Sequence, residues 1–417
     1  MNVLLASLGT AGDIHPFLAI GRFLRAHGHR AELISNPVFA PLAERAGLDF
    51  TPVGEAAHFH ATFTHHYVWH PLNGFGVMWR YLARPASPAA LARLEAAAHE
   101  PDTVALYSPF LMPAPRIAME TRGLRAVSAW TAPQMLPRFA PPLWLAGRHL
   151  GPEVAATVAR EAVLALDCNK MQPLALTDVD AARSARGLPA LGQSIFLEWI
   201  HSPLLSIALF PECFAAATPE WPRPHVHAGF PFYDDDAAEG LDIALERFLE
   251  AGSPPVVFTA GTAMHDAKAF FAEAIAASAS LGLRALLLTQ DSAQLPAVLP
   301  KDQMYVSYAA FSVLLPRARA LVHHGGVGTL AQALRARLPQ LVVPQAYDQF
   351  DNVSRLVTLG VAHALFPRED GSRLPLRDAL AALLADASVP AACARLATEL
   401  ADQHPFERVR LALESLA

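Results

Sequence analysis

The residues best able to do chemistry lie in one stretch, LVHHGGVGTLAQALRARLPQLVVPQAYDQFDN, at positions 321–352. A predicted strand runs into His323 and His324, a glycine-rich turn follows, and a helix then begins. Glycines at such a turn let the backbone approach a ligand, and the free N–H groups of a helix N-terminus bind anions, usually phosphate. A histidine beside the turn can donate a hydrogen bond to a phosphate oxygen. The pattern favours a phosphate site over the alternative, a tight turn with ordinary surface histidines.

A carboxylate and an amide, Asp348 and Gln349, follow the next predicted strand. They are expected at the carboxyl edge of the sheet, where open α/β sheets bind ligands. Together they offer several acceptors and a donor, which suits contact with sugar hydroxyls. The alternative role for Asp348 is to cap a helix that starts near Asn352, and the two roles are compatible.

The elements that must position these residues alternate between strands and helices in two separate stretches. Strands and helices alternate from residue 2 to residue 130, and the same alternation restarts near Pro254. Residues 131–200 are predicted to be helical and interrupted by prolines, with no alternation of strand and helix. Such alternation indicates parallel sheets, so the sequence predicts an α/β fold with two Rossmann-like domains in tandem. The acidic and aromatic segment 225–236 is the predicted interdomain linker.

The composition excludes several classes of protein. The 417 residues carry a net charge of −6 without a basic run, which argues against a nucleic-acid partner. No window of 18 apolar residues is present, so no membrane-spanning segment is predicted. The three cysteines are far apart and the N-terminus has no signal-peptide pattern, so a cytoplasmic location is expected. The sequence carries no signal for an oligomeric state.

The segments HHGGVGT and PQLVVPQAYDQ resemble the donor-binding motif of glycosyltransferase family 1, which has the GT-B fold. This resemblance implies two Rossmann-like domains that face each other across a cleft, with a C-terminal helix returning to the N-domain. The implied acceptor-binding domain spans residues 1–228 plus helix 404–417, and the nucleotide-sugar-binding domain spans 229–403. Other segments, FGVMW, HSP and YDQFDN, resemble the bacterial rhamnosyltransferases of rhamnolipid biosynthesis.

The resemblance also assigns donor-binding roles. His323 matches the family histidine that binds the diphosphate, and Tyr308 stands where many members stack a Trp on the base, with the backbone of Ala309 at the edge of the base. Asp348 and Gln349 match the pair that holds the donor sugar. The remaining positions matched to the phosphates are Thr259, Gly261, Thr262, Gly325, Gly326, Gly328 and Thr329.

The loop LGTAGDIHP, near the N-terminus, resembles the family's acceptor-side loop and contains two candidate bases. Asp13 stands where plant members have a catalytic histidine; the bacterial antibiotic and sterol glycosyltransferases also have an aspartate at this position. His15 is the second candidate base. Burial would raise the pKa of a carboxylate and make it a better base. The structural alternative is that Asp13 caps a helix starting near Pro16. A dinucleotide-binding loop is a further alternative, which the missing GxGxxG spacing disfavours.

The resemblance implies an inverting transferase that needs neither a cofactor nor a metal. The expected donor is a dTDP- or UDP-linked sugar, with dTDP-L-rhamnose and a 3-(3-hydroxyalkanoyloxy)alkanoic acid as substrates if the rhamnosyltransferase resemblance holds. Peripheral association with the inner membrane would suit such a lipid acceptor. The histidines of residues 58–70 lack supporting carboxylates, so no metal site is predicted there. The alternatives are a UDP-glucose-dependent transferase of a sterol, polyketide or carotenoid, and an inactive GT-B protein that activates a partner.

Overall fold

The structure, a computed structural model, describes residues 1–234, 240–261, 264, 266–366 and 373–417. The chain divides into two compact units. The first comprises residues 1–233 together with 404–417, and the second comprises residues 234–403. The first unit therefore ends at Tyr233, whereas the sequence predicts a boundary after 228.

The first unit is built on a parallel sheet. Its strands are β1 (Asn2–Ala6), β2 (Arg30–Ser35), β3 (Asp49–Pro52), β4 (Thr103–Tyr107), β5 (Arg125–Trp130), β6 (Leu143–Leu145), β7 (Arg148–Leu150), β8 (Ser206–Ala208) and β9 (His225–His227). Among the described residues the sheet has seven strands in the order β3-β2-β1-β4-β5-β8-β9, and a separate antiparallel pair is formed by β6 and β7.

Helices and three π-helical segments connect these strands. The helices are α1 (Ala11–Ala26), α2 (Ala40–Arg45), α3 (Ala56–Phe63), α4 (Gly74–Met78), α5 (Arg84–Ala97), α6 (Ala114–Arg122), α7 (Ala156–Leu166) and α8 (Gln172–Ser184). The π-helical segments are Trp79–Ala83, Asp167–Met171 and Ile195–Trp199.

Two short strand features of this unit were not predicted. Residues 131–200, predicted without alternation of strand and helix, contain the short hairpin of β6 and β7. The predicted linker 225–236 begins with β9, which extends the sheet by pairing with β8. Three-residue strands escape sequence patterns because they contain too few positions to show a periodicity.

The second unit repeats the architecture with its own parallel sheet. The strands are β10 (Val256–Thr259), β11 (Ala285–Leu288), β12 (Gln303–Val306), β13 (Ala320–His323), β14 (Gln340–Val342) and β15 (Ala362–Ala364), and their order in the sheet is β12-β11-β10-β13-β14-β15. The helices are α9 (Ile243–Glu250), α10 (Lys268–Ser280), α11 (Phe311–Leu314), α12 (Val327–Arg335), α13 (Gln349–Thr358), α14 (Leu376–Ala385) and α15 (Ser388–Ala401). The predicted α/β class with two Rossmann-like units is confirmed.

The last helix, α16 (Pro405–Glu414), packs on the first unit although it follows the second in sequence. Val409 and Leu413 are fully buried in the core of the first unit, and Phe406 stacks on Phe23 of α1 with ring centroids 5.4 Å apart. Arg408 donates to the carbonyl oxygen of His227 at 3.1 Å. Apolar burial of this size contributes about 1.5–3 kcal/mol per large side chain, so α16 is an integral part of the first unit.

Close backbone packing fixes α1 against the sheet of the first unit. A Cβ atom at Gly21 would lie 2.7 Å from Leu5 Cδ1 and 2.8 Å from Leu48 Cδ1. Glycine at this point lets the helix approach β1, whose carboxyl end leads into the loop that carries Asp13.

Among the described residues, no single helix has the length and hydropathy required to cross a membrane. One bent pair, Leu376–Ala385 with Ser388–Glu414, meets those requirements only when its two parts are taken together, and the bend between them is 73°.

Candidate active site

The glycine-rich turn of the second unit lies at the carboxyl edge of its sheet. β10 and β13 are parallel neighbours, with Thr259 opposite His323 at their carboxyl ends. The chain leaves β10 for α10 and β11 on one side, and leaves β13 for α12 and β14 on the other. Ligands of open α/β sheets bind at such a switch point, so the two loops that leave these strands form the candidate donor site.

The turn itself depends on glycine. Gly325 has a φ of 96°, and a Cβ atom there would lie 3.0 Å from Val342 Cγ1. Gly326 is the N-cap residue of α12. A Cβ atom at Gly328, in the first turn, would have no neighbouring atom within 4 Å. Thr329, in the same turn, is half-buried. The N–H groups of this first turn lack helical partners, so the end of α12 can bind an anion.

His323 does not have the accessibility that its predicted role requires. The side chain is fully buried, and the N–H of Gly325 donates to its Nδ1 at 3.1 Å. Its Nε2 therefore carries the proton and donates to Oε1 of Gln340 at 3.0 Å. Burial lowers the pKa of His323 to about 3. The structure therefore does not support direct contact between His323 and a diphosphate; this residue is a neutral support beneath the turn.

His324, the second histidine of the doublet, reaches the space between the two loops. A Cβ atom at Gly261 would lie 2.7 Å from its Cε1, and one at Gly326 would lie 2.5 Å from its Nε2, so the ring fits between these glycines. Burial lowers the pKa of His324 to about 4, which leaves the ring neutral at pH 7. Its Nδ1 is buried, with no hydrogen-bond partner among the described residues. His324 is the better placed histidine for a ligand.

A cavity of about 180 Å³ lies beside His324. Its polar lining comes from Thr259 at the end of β10, Asp266 before α10, Gln345 after β14 and Arg373 before α14. An apolar wall completes the cavity and contains Met264, Ala267, Phe270 and Val343. The polar lining thus offers hydrogen-bond donors and acceptors side by side.

The pair Asp348 and Gln349 lies at the start of α13, which begins at Gln349 and not near Asn352 as predicted. Oε1 of Gln349 accepts from the backbone N–H of Gln345 at 2.7 Å. Nδ2 of Asn352 donates to Asp348 Oδ2 at 2.7 Å and to the carbonyl oxygen of Gly325 at 3.0 Å. These bonds hold the loop after β14 against the glycine turn, and they occupy the acceptor of Gln349 and one carboxylate oxygen of Asp348.

The predicted base-binding and first-loop residues follow β12 and β10. Tyr308 is 53% exposed, and Ala309 is buried in the core of the second unit. Oγ1 of Thr259 accepts from the N–H of Gly261, which has a φ of 90°. Thr262, predicted to lie near the phosphates, falls outside the described residues.

Asp13, the predicted base, occupies the first turn of α1 in the first unit. The helix begins at Ala11 and not near Pro16, so Thr10 is the N-cap residue. Oδ2 of Asp13 accepts from the N–H of Thr10 at 2.8 Å and from its hydroxyl at 3.1 Å. Desolvation outweighs these bonds and raises the pKa of Asp13. Asp13 is therefore not the N-cap residue itself. It is the third helical residue, and its carboxylate completes the capping box with Thr10.

Two further contacts shape the Asp13 loop. Gly9 has a φ of 136°, and a Cβ atom there would lie 2.3 Å from Asp13 Oδ2, so only glycine leaves room for the carboxylate. His15 stacks on Tyr233 with ring centroids 4.6 Å apart. An aromatic contact therefore positions the second candidate base, whereas backbone and hydroxyl groups position the first.

The histidine-rich stretch near α3 shows ring contacts. His65 and His66 stack with centroids 4.8 Å apart, and His66 lies 4.0 Å from the ring of Tyr67. Over the ranges that the structure describes, no group of three His, Cys, Asp or Glu side chains is placed to hold a metal ion.

Comparison with known proteins identifies the family. The profile of the glycosyltransferase family 28 N-terminal domain matches residues 3–140, and the profile of the erythromycin biosynthesis protein CIII-like C-terminal domain matches residues 284–416. The chain is 29% identical to O-mycaminosyltylonolide 6-deoxyallosyltransferase of Streptomyces fradiae, covering 100% of this chain and 98% of the relative. It is 28% identical to vancomycin aglycone glucosyltransferase of Amycolatopsis orientalis, covering 95% and 92%. The chain therefore has an N-terminal domain of glycosyltransferase family 28 and an erythromycin CIII-like C-terminal domain, and it is a glycosyltransferase.

Solved structures similar to this glycosyltransferase have the GT-B fold. The spinosyn forosaminyltransferase superposes with a TM-score of 0.72 at 19% identity, covering 100% of this chain and 99% of the other. The spinosyn rhamnosyltransferase, solved with thymidine diphosphate, superposes with a TM-score of 0.69 at 20% identity, covering 99% of each chain. The fold and family predicted from the HHGGVGT segment are confirmed.

The sequence of this glycosyltransferase did not single out several polar residues at the cavity, among them His324 and Arg373. His324 lies in the predicted doublet, but the spacing alone does not reveal which histidine faces the ligand. Arg373 follows the motif by more than 40 positions and has no motif of its own; only the fold brings it beside His324.

Proposed function

We propose that this glycosyltransferase is an inverting, metal-independent enzyme that transfers L-rhamnose from dTDP-L-rhamnose to a hydroxyl of a lipophilic acceptor. The observation that carries the proposal is the glycine turn at the start of α12, beside His324 and the cavity. Further support comes from the similar sequence of a 6-deoxyallosyltransferase and the similar fold of a rhamnosyltransferase bound to thymidine diphosphate.

The diphosphate is proposed to bind at the N-terminus of α12. The N–H groups of Gly326 to Gly328 would contact its oxygens, and the helix dipole would stabilise the charge that the leaving dTDP gains. Val327 carries no hydrogen-bonding side chain, so backbone groups must supply this contact. Tyr308 is the proposed stacking partner of the thymine base, with the backbone of Ala309 at the edge of the base.

Asp13 is the proposed general base. Its carboxylate would take the proton of the acceptor hydroxyl while the oxygen attacks the anomeric carbon. The bond from that carbon to the diphosphate breaks on the opposite face, so the configuration inverts and dTDP leaves. The raised pKa of Asp13 brings this carboxylate closer to the range in which a base is effective near neutral pH. His15 is the second candidate for this role.

The acceptor is proposed to be a 3-(3-hydroxyalkanoyloxy)alkanoic acid, giving a mono-rhamnolipid. Support comes from the resemblance to the rhamnosyltransferases of rhamnolipid biosynthesis and from aromatic rings at the carboxyl ends of β4 and β5. Phe110 lies 6.0 Å from Phe75, 5.5 Å from Phe196 and 6.0 Å from Trp130. Trp130 and Phe196 are buried, so the partly buried rings of Phe75 and Phe110 are those that would contact an apolar acyl chain. An acceptor of this kind would also favour peripheral association with the inner membrane.

A UDP-glucose-dependent transferase is the second candidate, supported by the similarity to vancomycin aglycone glucosyltransferase. Purified protein would be given dTDP-L-rhamnose and UDP-glucose side by side, and nucleotide release would be followed with and without acceptor. The proposal predicts acceptor-dependent release of dTDP. Turnover of UDP-glucose alone would overturn the rhamnosyl assignment, and turnover of neither would favour an inactive protein that activates a partner.

A further inference from the structure

The cavity beside His324 contains polar groups whose hydrogen bonds are incomplete. Nη2 of Arg373 donates to Glu273 Oε1 at 2.8 Å, which fixes the guanidinium plane. Nη1 of the same group is buried and, within the described part of the chain, has no hydrogen-bond partner. The same holds for Nδ1 of His324. Buried polar groups without a hydrogen-bond partner are unfavourable, so a ligand that pairs with them would bind more tightly.

The charges around the cavity favour an uncharged ligand. Arg373 supplies one positive charge, Asp266 one negative charge on the wall, and Glu273 a second negative charge paired with the guanidinium. Arg373 would attract a phosphate or a uronic acid, but Asp266 and Glu273 would repel it, and an ammonium group would be repelled by Arg373. Sugar hydroxyls both donate and accept, so they can satisfy the carboxylate and the guanidinium together.

The remaining wall of the cavity is apolar. Phe270, Val343, Met264 and Ala267 line the same space as Arg373. A methyl group at C6 of a sugar would pack on this wall at no desolvation cost, whereas a C6 hydroxyl or carboxylate would lose hydrogen bonds to water. The wall therefore favours a sugar without a polar group at C6.

We propose that this cavity is the donor-sugar subsite, and that Arg373 and Asp266 make it selective for an uncharged 6-deoxyhexose. Arg373 would donate through Nη1 to a sugar hydroxyl, and Asp266 would accept from another. This inference rests on the proposed function, because it assumes a nucleotide-sugar donor. The glycine turn binds the diphosphate, and the cavity binds the sugar.

The test compares the affinity for a nucleotide sugar with that for its free nucleotide, by calorimetric titration without acceptor. The ligands are dTDP-L-rhamnose and dTDP, and the matched pair UDP-glucose and UDP-glucuronate, which differ only at C6. The variants are Arg373→Gln, Arg373→Lys and Asp266→Asn. Arg377→Gln is the control, because Arg377 is an exposed arginine of α14 outside the cavity that contacts Ser280 and Asp378.

The expected result is a loss of about 10- to 100-fold in affinity for dTDP-L-rhamnose in Arg373→Gln, from one lost charged hydrogen bond. The affinity for dTDP stays within about 2-fold, and Arg377→Gln binds both ligands as the wild type does. Asp266→Asn narrows the preference for UDP-glucose over UDP-glucuronate. Unchanged sugar affinity in both Arg373 variants, or an equal loss for dTDP and dTDP-L-rhamnose, would overturn the proposal.

Failure of the proposed function would look different. A wild type that binds UDP-glucose but not dTDP-L-rhamnose contradicts the rhamnosyl assignment and also overturns the selectivity for a 6-deoxyhexose. The effect of Arg373→Gln on UDP-glucose against UDP then tests only whether the cavity binds the sugar. A wild type that binds dTDP-L-rhamnose no better than dTDP shows that no sugar subsite exists, which overturns this inference and leaves the nucleotide site intact.

Discussion

At the scale of single residues, Asp13 is the proposed general base, and His323 supports the glycine turn from beneath. Asp13→Asn keeps an oxygen for the N–H of Thr10, so the capping contact and the fold are expected to survive. Removal of the base is expected to lower kcat by about 10²- to 10⁴-fold. Steady-state rates and a dTDP titration check this prediction. An active variant would transfer the role of base to His15, for which His15→Gln is the matched variant.

The same substitution has a predicted effect on stability. The folded protein raises the pKa of Asp13, so its charged form is disfavoured in the folded state. The contribution of Asp13 to stability is complete below its unfolded pKa and is lost as pH rises through the folded pKa. Asp13→Asn is therefore expected to gain stability relative to the wild type as the pH rises from about 4 to about 7. Thermal unfolding at the two pH values measures the gain, and a variant that instead loses stability relative to the wild type over that range would contradict it.

At the scale of elements, the start of α12 offers a matched pair of glycines. Alanine at Gly325 would have a φ of 96° and would place Cβ 3.0 Å from Val342, so a loss of about 1–3 kcal/mol in the free energy of unfolding is expected. Gly328 lies within the helix with nothing inside 4 Å of a Cβ atom, so Gly328→Ala should be neutral or gain up to about 1 kcal/mol. Denaturant unfolding compares the two variants. An equal loss in the free energy of unfolding for both would contradict the view that Gly325 is required by its backbone conformation and close packing.

The attachment of α16 gives a second prediction for an element. Leu413 is fully buried in the core of the first unit, and Leu413→Ala is expected to cost about 2–5 kcal/mol. Leu411 on the same helix is 53% exposed, so Leu411→Ala serves as the control and should change stability by less than about 0.5 kcal/mol. A small effect of Leu413→Ala on unfolding would show that α16 contributes little to the unit.

Sequence patterns predicted the elements with long, buried and regular runs, and failed where chemistry depends on a few atoms. β1, β10 and β13 are apolar runs that precede glycine turns, so their type and order followed from the residue pattern. β9 and β15 have three residues each, and their pairing is decided by neighbouring strands. The doublet at 323–324 marked the site, but the acceptor at Gln340, distant in sequence, decides which ring is buried beneath the turn.

At the scale of the whole molecule, buried neutral histidines are expected to lower the free energy of unfolding as the pH falls. The pKa of His323 is lowered to about 3, and those of His201 and His324 to about 4, in each case chiefly by burial. Each contributes stability that is present above the unfolded pKa, about 6.5, and is lost as pH falls. The free energy of unfolding is expected to drop by several kcal/mol between about pH 7 and about pH 4.5. Denaturant titrations across that range measure the drop, and a flat profile would contradict the neutral assignment.

Transfer of a 6-deoxysugar with inversion is the reaction proposed for this glycosyltransferase. The most direct measurement is the product of a reaction with dTDP-β-L-rhamnose and a 3-(3-hydroxyalkanoyloxy)alkanoic acid, analysed by mass spectrometry and by NMR of the anomeric carbon. We predict one added deoxyhexose in the α configuration, formed by the wild type and lost in Asp13→Asn. A β-linked product, or transfer only from UDP-glucose, would contradict this claim.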